Sequence, residues 1–237
     1  MTNTSRLWKV LAALMVVSFG ILLYFGREIY IAAPPIPTAV KTTTGETLFT
    51  REQYDIGRQV WQRVGGHQMG SIWGHGSYVA PDWSADWLHR EATALLDLWA
   101  QRDAGKAYAD LDAVQQAGLQ ARLQQTMRKN TYDPATGVIT VDEDRAQAIR
   151  QVNDHYMRLF GPDVELNTLR AQYAIQQNPI PDAEQRQAMM AFFFWTSWSA
   201  STNRPDSTIT YTSNWPSEPL VGNVPTTSTY LWTFISI

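Results

Sequence analysis

Gly65–Glu91 reads GGHQMGSIWGHGSYVAPDWSADWLHRE, and the fold turns on where its loop stops and its helix starts. The stretch holds three of the four histidines (His67, His75, His89), three tryptophans (Trp73, Trp83, Trp87) and five glycines. Gly70, Gly74 and Gly76 permit backbone angles and close approaches that other residues resist. Pro81 and Asp82 end the irregular part. Ser84 is the expected N-cap of a following helix, and Asp86 puts negative charge in its first turn. A loop of this kind either holds a ligand, docks against a surface, or packs on itself with no ligand at all. Residue types leave these readings open, although loops carry function more often than their share.

Periodicity extends the reading on both sides. Downstream, Leu88, Ala92, Leu95 and Trp99 lie on one face of a helix over residues 84–101. A second helix is expected over 108–129, with Leu111, Val114, Leu119, Leu123 and Met127 inward. Asp133–Gly137 is a turn, and Val138–Val141 is a short strand. Asp142 caps a third helix whose buried stripe is Ile149, Val152, Tyr156 and Leu159. A short helix starts near Asn167 and is broken by Pro179 and Pro181. Asp182 caps a last one carrying Met189, Met190 and Phe192–Trp195. Upstream, Thr50 and Gln53 form a capping box for a helix that Gly65 and Gly66 stop, with Tyr54, Gly57, Val60, Trp61 and Val64 on one side.

The two ends read as membrane segments. Val10–Gly26 carries no charge, and with Leu7 and Trp8 the apolar stretch reaches about 20 residues, enough to span a bilayer. Trp8, Tyr24 and Tyr30 sit where interfacial aromatics belong. A signal peptide would have a shorter apolar region and small residues before the cut, so an uncleaved anchor is expected. Arg6, Lys9 and the N-terminal amine put the N-terminus in the cytoplasm by the positive-inside rule. Ala32–Gly45, with Pro34, Pro35 and Pro37, reads as an extended linker. Ser201–Thr227 is a long irregular loop of the kind that covers something. Tyr230–Ile237 (YLWTFISI) reads as the start of a second span, entered through Tyr230 and Trp232. The expected organisation is therefore an anchor helix over 1–30, a mostly helical extracytoplasmic domain with long loops over 31–226, and the beginning of another transmembrane helix over 227–237.

Composition removes several function classes. A formal net charge of −3 gives no basic footprint, so no nucleic-acid partner is expected. Ten tryptophans indicate a membrane-interface belt or a large aromatic core. The chain has no cysteine, which excludes disulfides, thiolate metal sites and thioether attachment of haem. His67 and His75 lack the i, i+4 spacing of two ligands on a helical face. His89 and His155 stand beside charged neighbours. Gly70–Gly76 has no βαβ context for a dinucleotide. Asp82, Asp86 and Glu91 offer carboxylates, and hard oxygens near a Gly-rich loop suit calcium, without the spacing of a known calcium loop.

Two long segments, Ser71–Glu91 (SIWGHGSYVAPDWSADWLHRE) and Phe193–Thr226 (FFWTSWSASTNRPDSTITYTSNWPSEPLVGNVPT), resemble the N-terminal region of quinol-dependent nitric oxide reductases, single-chain members of the haem-copper oxidase superfamily. The resemblance runs in order over essentially the whole chain. It implies a cytochrome c-like fold. In the cytochrome c subunit of the related cytochrome-dependent enzymes, a Cys-x-x-Cys-His motif precedes a segment that Gly74–Asp82 matches. Gly66, Met69 and Gly70 stand at the Cys, Cys and His places, so covalent haem c is impossible.

The resemblance further implies that electrons come from membrane quinol. The parent enzyme would reduce two NO to N2O at haem b3 and a non-haem iron, fed by haem b. Those metals would be bound in a transmembrane catalytic region of the same protein, outside these 237 residues. It implies a structural calcium whose ligands on this side are the Gly76 carbonyl and Tyr78. No residue of this chain is then catalytic. Its partners are the remaining membrane region and lipid, in a bacterial inner membrane with the main domain periplasmic. The alternative is a free-standing, membrane-anchored binding or sensor module with a haem-free cytochrome c fold.

Overall fold

In the computed structural model, which describes residues 4–236, the first element is α1 (Thr4–Ala32), 29 residues with none buried. At ~1.5 Å per residue it is about 44 Å long, against ~30 Å for a hydrocarbon core. By length and composition it is able to cross a membrane. The expectations for the N-terminal amine, the Trp232 side chain and Ile237 fall outside the described residues and side chains. The chain divides between Pro35 and Ile36 into two compact units, and everything below belongs to the second.

That unit opens with a strand where a linker was expected. β1 (Ala39–Thr42) pairs antiparallel with β2 (Thr47–Thr50) and parallel with β4 (Val138–Val141), which pairs with β3 (Tyr132–Asp133). The sheet order is β2-β1-β4-β3. The prolines do keep Ala33–Thr38 irregular. After them only Val40 and Thr42 turn inward, and two alternations are too few to show period 2 against a Thr-rich background.

α2 (Arg51–Arg63) starts at the expected capping box: Thr50 accepts from the Gln53 amide and Gln53 accepts from the Thr50 amide. α3 runs from Trp83 to Ala104 and stops at Gly105, which is left-handed. Its N-cap is Asp82 and not Ser84, because the Asp82 carboxylate accepts the Ala85 amide. The expected helix over 108–129 is interrupted. A 3-10 turn, Tyr108–Asp110, precedes α4 (Ala113–Arg128), since the Asp112 side chain takes the Val114 and Gln115 amides and starts the helix afresh. That restart rotates Val114 into solvent at 82% exposure, while Leu123 and Met127 remain buried. α5 (Glu143–Leu159) buries the stripe read from the sequence. α6 (Asn167–Gln172) is one short helix. α8 (Thr227–Ser236) closes the described chain.

α7 (Ala183–Ser201) is the hub. Every residue from Ala188 to Ser201 is buried. Its hydroxyls bond backward along the helix, Thr196 to Phe193 O at 2.7 Å and Ser199 to Trp195 O at 2.8 Å. Around it stand Tyr54 and Trp61 of α2, Trp83 and Trp87 of α3, Tyr156 of α5 and Phe160 at its C-cap, all in one aromatic core. Trp83 stacks on Phe193 at 5.8 Å and Trp87 on Tyr156 at 5.3 Å. A second cluster joins Leu88, Leu95 and Trp99 of α3 to Leu123 and Met127 of α4.

α2 reaches α7 only because residue 57 has no side chain. A Cβ there would stand 2.0 Å from the Ala188 carbonyl oxygen. Gly57→Ala is expected to lower unfolding free energy by about 2–3 kcal/mol. Gly118→Ala, on α4 with nothing within 4 Å of the new methyl, is expected to raise it by roughly 0.5–1 kcal/mol. Chemical denaturation of the two variants checks both signs.

Candidate functional site

The Gly-rich loop is closed by one carboxylate. Asp82 is 6% exposed. Its Oδ2 accepts from the Ser71 hydroxyl at 2.6 Å and the Gly74 amide at 2.6 Å. Its Oδ1 accepts from the Ser84 hydroxyl and, at 2.9 Å, from the Ala85 amide. The two serines extend the network: Ser71 Oγ accepts the Gly76 amide at 2.8 Å and Ser84 Oγ accepts the Trp73 amide at 3.0 Å. One side chain therefore caps α3 and fixes the loop before it. The glycines answer to space. At Gly70, with φ +122°, a Cβ would stand 2.2 Å from the Trp83 indole nitrogen, which donates to Met69 O at 2.9 Å. At Gly74 it would meet Ser71 Oγ at 2.8 Å.

The second segment singled out in the sequence folds onto the first. Trp215 Nε1 donates to Gly74 O at 3.1 Å, and the His75 ring meets the Trp215 ring edge-on at 4.7 Å. Trp73 Nε1 donates to Thr196 O at 2.8 Å. His89 Nδ1 lies 2.8 Å from Glu218 Oε2. Arg128 clamps the long loop from below with donations to Thr208 O, Asn214 Oδ1, Val221 O, Gly222 O and Asn223 Oδ1. Burial lowers its proton affinity, and all five of these acceptors are neutral. Between α7 and α8 the segment thus has a defined path, with two isolated bridges (Asn203 to Thr210, Glu218 to Asn223) and the short turn Pro219–Val221 as its regular structure.

The candidate chemical groups are dispersed. Asp86 accepts from Tyr156 at 2.5 Å and Arg90 at 2.7 Å. Burial first, and then the Asp86 charge, push the Tyr156 phenol well up. Glu91 is fully buried and accepts from Trp87 Nε1 at 2.9 Å and Arg145 Nε at 2.7 Å. Asp82, Asp86 and Glu91 are thus each committed to different partners. His67 is exposed against the edge of Trp61. Among the described residues no three His, Cys, Asp or Glu side chains gather as a metal site.

Gly66 and Met69 are buried in a 3-10 turn. Gly76, with φ +87°, and Tyr78 flank the tip of the loop, where Ser77 N donates to Ala80 O at 2.9 Å. Tyr78 is wholly in solvent at 103% exposure. A carbonyl and a phenol are hard oxygen donors of the kind calcium accepts, but calcium takes about six to eight. Two such donors on an exposed loop fall well short of that number. Sequence reasoning passed over Arg128, Arg145 and Glu218. Arg145 did carry a signal, being a charge four residues before Ile149 on the buried stripe.

Asp82→Asn leaves buried donors without acceptors and is expected to cost about 2–3 kcal/mol, with faster amide exchange over Gly70–Pro81 by mass spectrometry. His155 is pulled from 6.5 down to about 4 by burial and then by Arg90, with Arg158 adding and Asp86 opposing. Below pH 6.5 the unfolded chain takes up a proton that the folded chain refuses. Stability should therefore fall as pH drops from 6.5 toward about 4, and His155→Gln should flatten that slope in denaturation curves.

No curated protein matches the chain. Residues 37–217 match the family model for the cytochrome c-like domain of NorB, a component of nitric oxide reductase. The match spans the sheet, the Asp82 loop, the aromatic core and most of the loop that Arg128 clamps. On that span, more than half of the chain, the protein belongs to the family of the NorB cytochrome c-like domain of nitric oxide reductase.

Proposed function

We propose that this chain is the N-terminal part of a quinol-dependent nitric oxide reductase, and that its own role is structural. The observation that carries the reading is a cytochrome c-like domain with no cysteine anywhere in 237 residues. Gly66 and Met69 stand where thioether cysteines would, and Trp83 packs so tightly beneath Gly70 that a methyl group has no room. With no covalent haem to relay electrons, the two electrons for 2 NO + 2 H⁺ → N2O + H2O come from a quinol oxidised to a quinone in the membrane region. The domain then covers the haem-bearing core of the same protein. Gly76 O and Tyr78 supply ligands to a calcium between the two, and a divalent cation there offsets buried anionic charge. α1 anchors the chain in a bacterial inner membrane with its N-terminus cytoplasmic and the domain periplasmic.

The test is electron-donor dependence. Host membranes carrying the full reading frame are expected to consume NO with a reduced quinol and not with reduced cytochrome c. The purified Thr38–Thr226 domain is expected to be colourless. NO consumption driven by cytochrome c alone, or a c-type haemochrome from the purified domain, contradicts the proposal. A stable protein ending at Ile237 that binds a soluble ligand would support the free-standing module instead.

A further inference from the structure

A cleft of about 490 Å³ opens between the end of α4 and the β4 side of the sheet. Thr43, Thr126, Lys129, Thr131 and Thr140 line it, and Arg145 is at its base. Arg145 is 3% exposed, and its Nε is spent on Glu91 Oε1 at 2.7 Å. The other Glu91 oxygen is taken by the Trp87 indole at 2.9 Å, so both oxygens of that carboxylate are engaged. Among the described residues Arg145 Nη2 is buried and has no acceptor. Thr131 Oγ1 is a second buried polar atom without a partner on the same cleft.

Unspent donors on a buried cation are costly, and folded proteins rarely leave them so. What would satisfy them must bring acceptors. The lining is rich in donors: a guanidinium edge, the Lys129 ammonium and four threonine hydroxyls. One acid, Asp142, lines the cleft and spends one oxygen on the chain itself, and Glu143 beside it is not part of the lining. Asp142 Oδ1 accepts the Arg145 amide at 2.8 Å, and Glu143 accepts from Thr44 Oγ1 at 2.9 Å and the Thr44 amide at 3.3 Å. An arginine edge is matched by two oxygens of one carboxylate or phosphate group. We propose that this cleft is a binding site for a small oxyanion, held on the guanidinium of Arg145 with Lys129 and Thr131 completing its shell.

The test is calorimetric titration of the full chain in detergent with inorganic phosphate and, separately, with acetate, alongside the shift in melting temperature each produces. Saturable binding of either anion is expected, and which one binds separates phosphate from carboxylate chemistry. Lys129→Gln is expected to weaken it about tenfold, and Thr131→Val about fivefold. Arg145→Lys removes the bidentate edge and is expected to abolish binding. Because Arg145 also pairs with buried Glu91 and that variant risks misfolding, Lys129→Gln and Thr131→Val decide the matter if it does. No saturable heat and no melting shift with either anion at millimolar concentration overturns the proposal. So does binding that both lining variants leave unchanged.

Discussion

A helix with no solvent face must be enclosed by its neighbours, and α7 imposes that condition on the whole domain. From Ala188 to Ser201 every residue is buried. α2, α3 and α5 are each placed by what they bring to that surface: a missing side chain at Gly57, the indoles of Trp83 and Trp87, and the rings of Tyr156 and Phe160. Aromatic pairs hold preferred geometries beyond the area they bury. That is how a surface shared by three helices acquires a single arrangement. The tryptophan count then has a plain use, since four of the largest fully buried side chains are Trp83, Trp87, Trp99 and Trp198.

Much of this is legible in the residues. The capping box at Thr50, the caps at Asp142 and Asp182, and the stripes on α3 and α5 are readable because each rests on bonds or spacings within one turn or two. Ser84 reads wrongly as a cap because cap preference ranks Ser and Asp alike. Asp82 prevails because it alone has two oxygens, enough to serve the helix and the loop together. Val114 reads wrongly as core because its spacing fits a helix that Asp112 restarts in a different phase. β1 escapes notice because one of its two partners is far away in the chain and its own four residues say little. The long apolar helix α1 is plain from its length and lack of charge. For the loop from Ser201 to Thr227, composition announces irregularity but not the path, because that path is set by tertiary bonds from Arg128.

The site shows the same division. Glycine spacing announces a constrained loop, and the structure supplies the reason: an indole and a serine occupy the places where side chains would go. Buried arginines are the least visible class. Arg145 sits in a helix whose apolar pattern is otherwise regular and Arg170 in the six-residue α6, and a charge in either setting is ambiguous until its acceptors are known. Arg170 is 1% exposed and donates to four backbone carbonyls, including Leu159 O at the end of α5 and Gly161 O just past it. It works as a cap for the preceding helix as much as a residue of its own. A buried Arg–Glu pair, such as Arg145 with Glu91, is weak evidence for net stability, but removing one partner typically costs about 3–5 kcal/mol.

The parallel pairing of β1 with β4 joins Ala39 to Val138, 99 positions further along the chain. Protein synthesis proceeds at roughly 5–20 residues per second. For several seconds at least, the nascent β1–β2 hairpin has an open edge with no partner yet made, and an open edge is a template for pairing with a foreign strand. That edge stays bare until the helices that precede β4 have emerged.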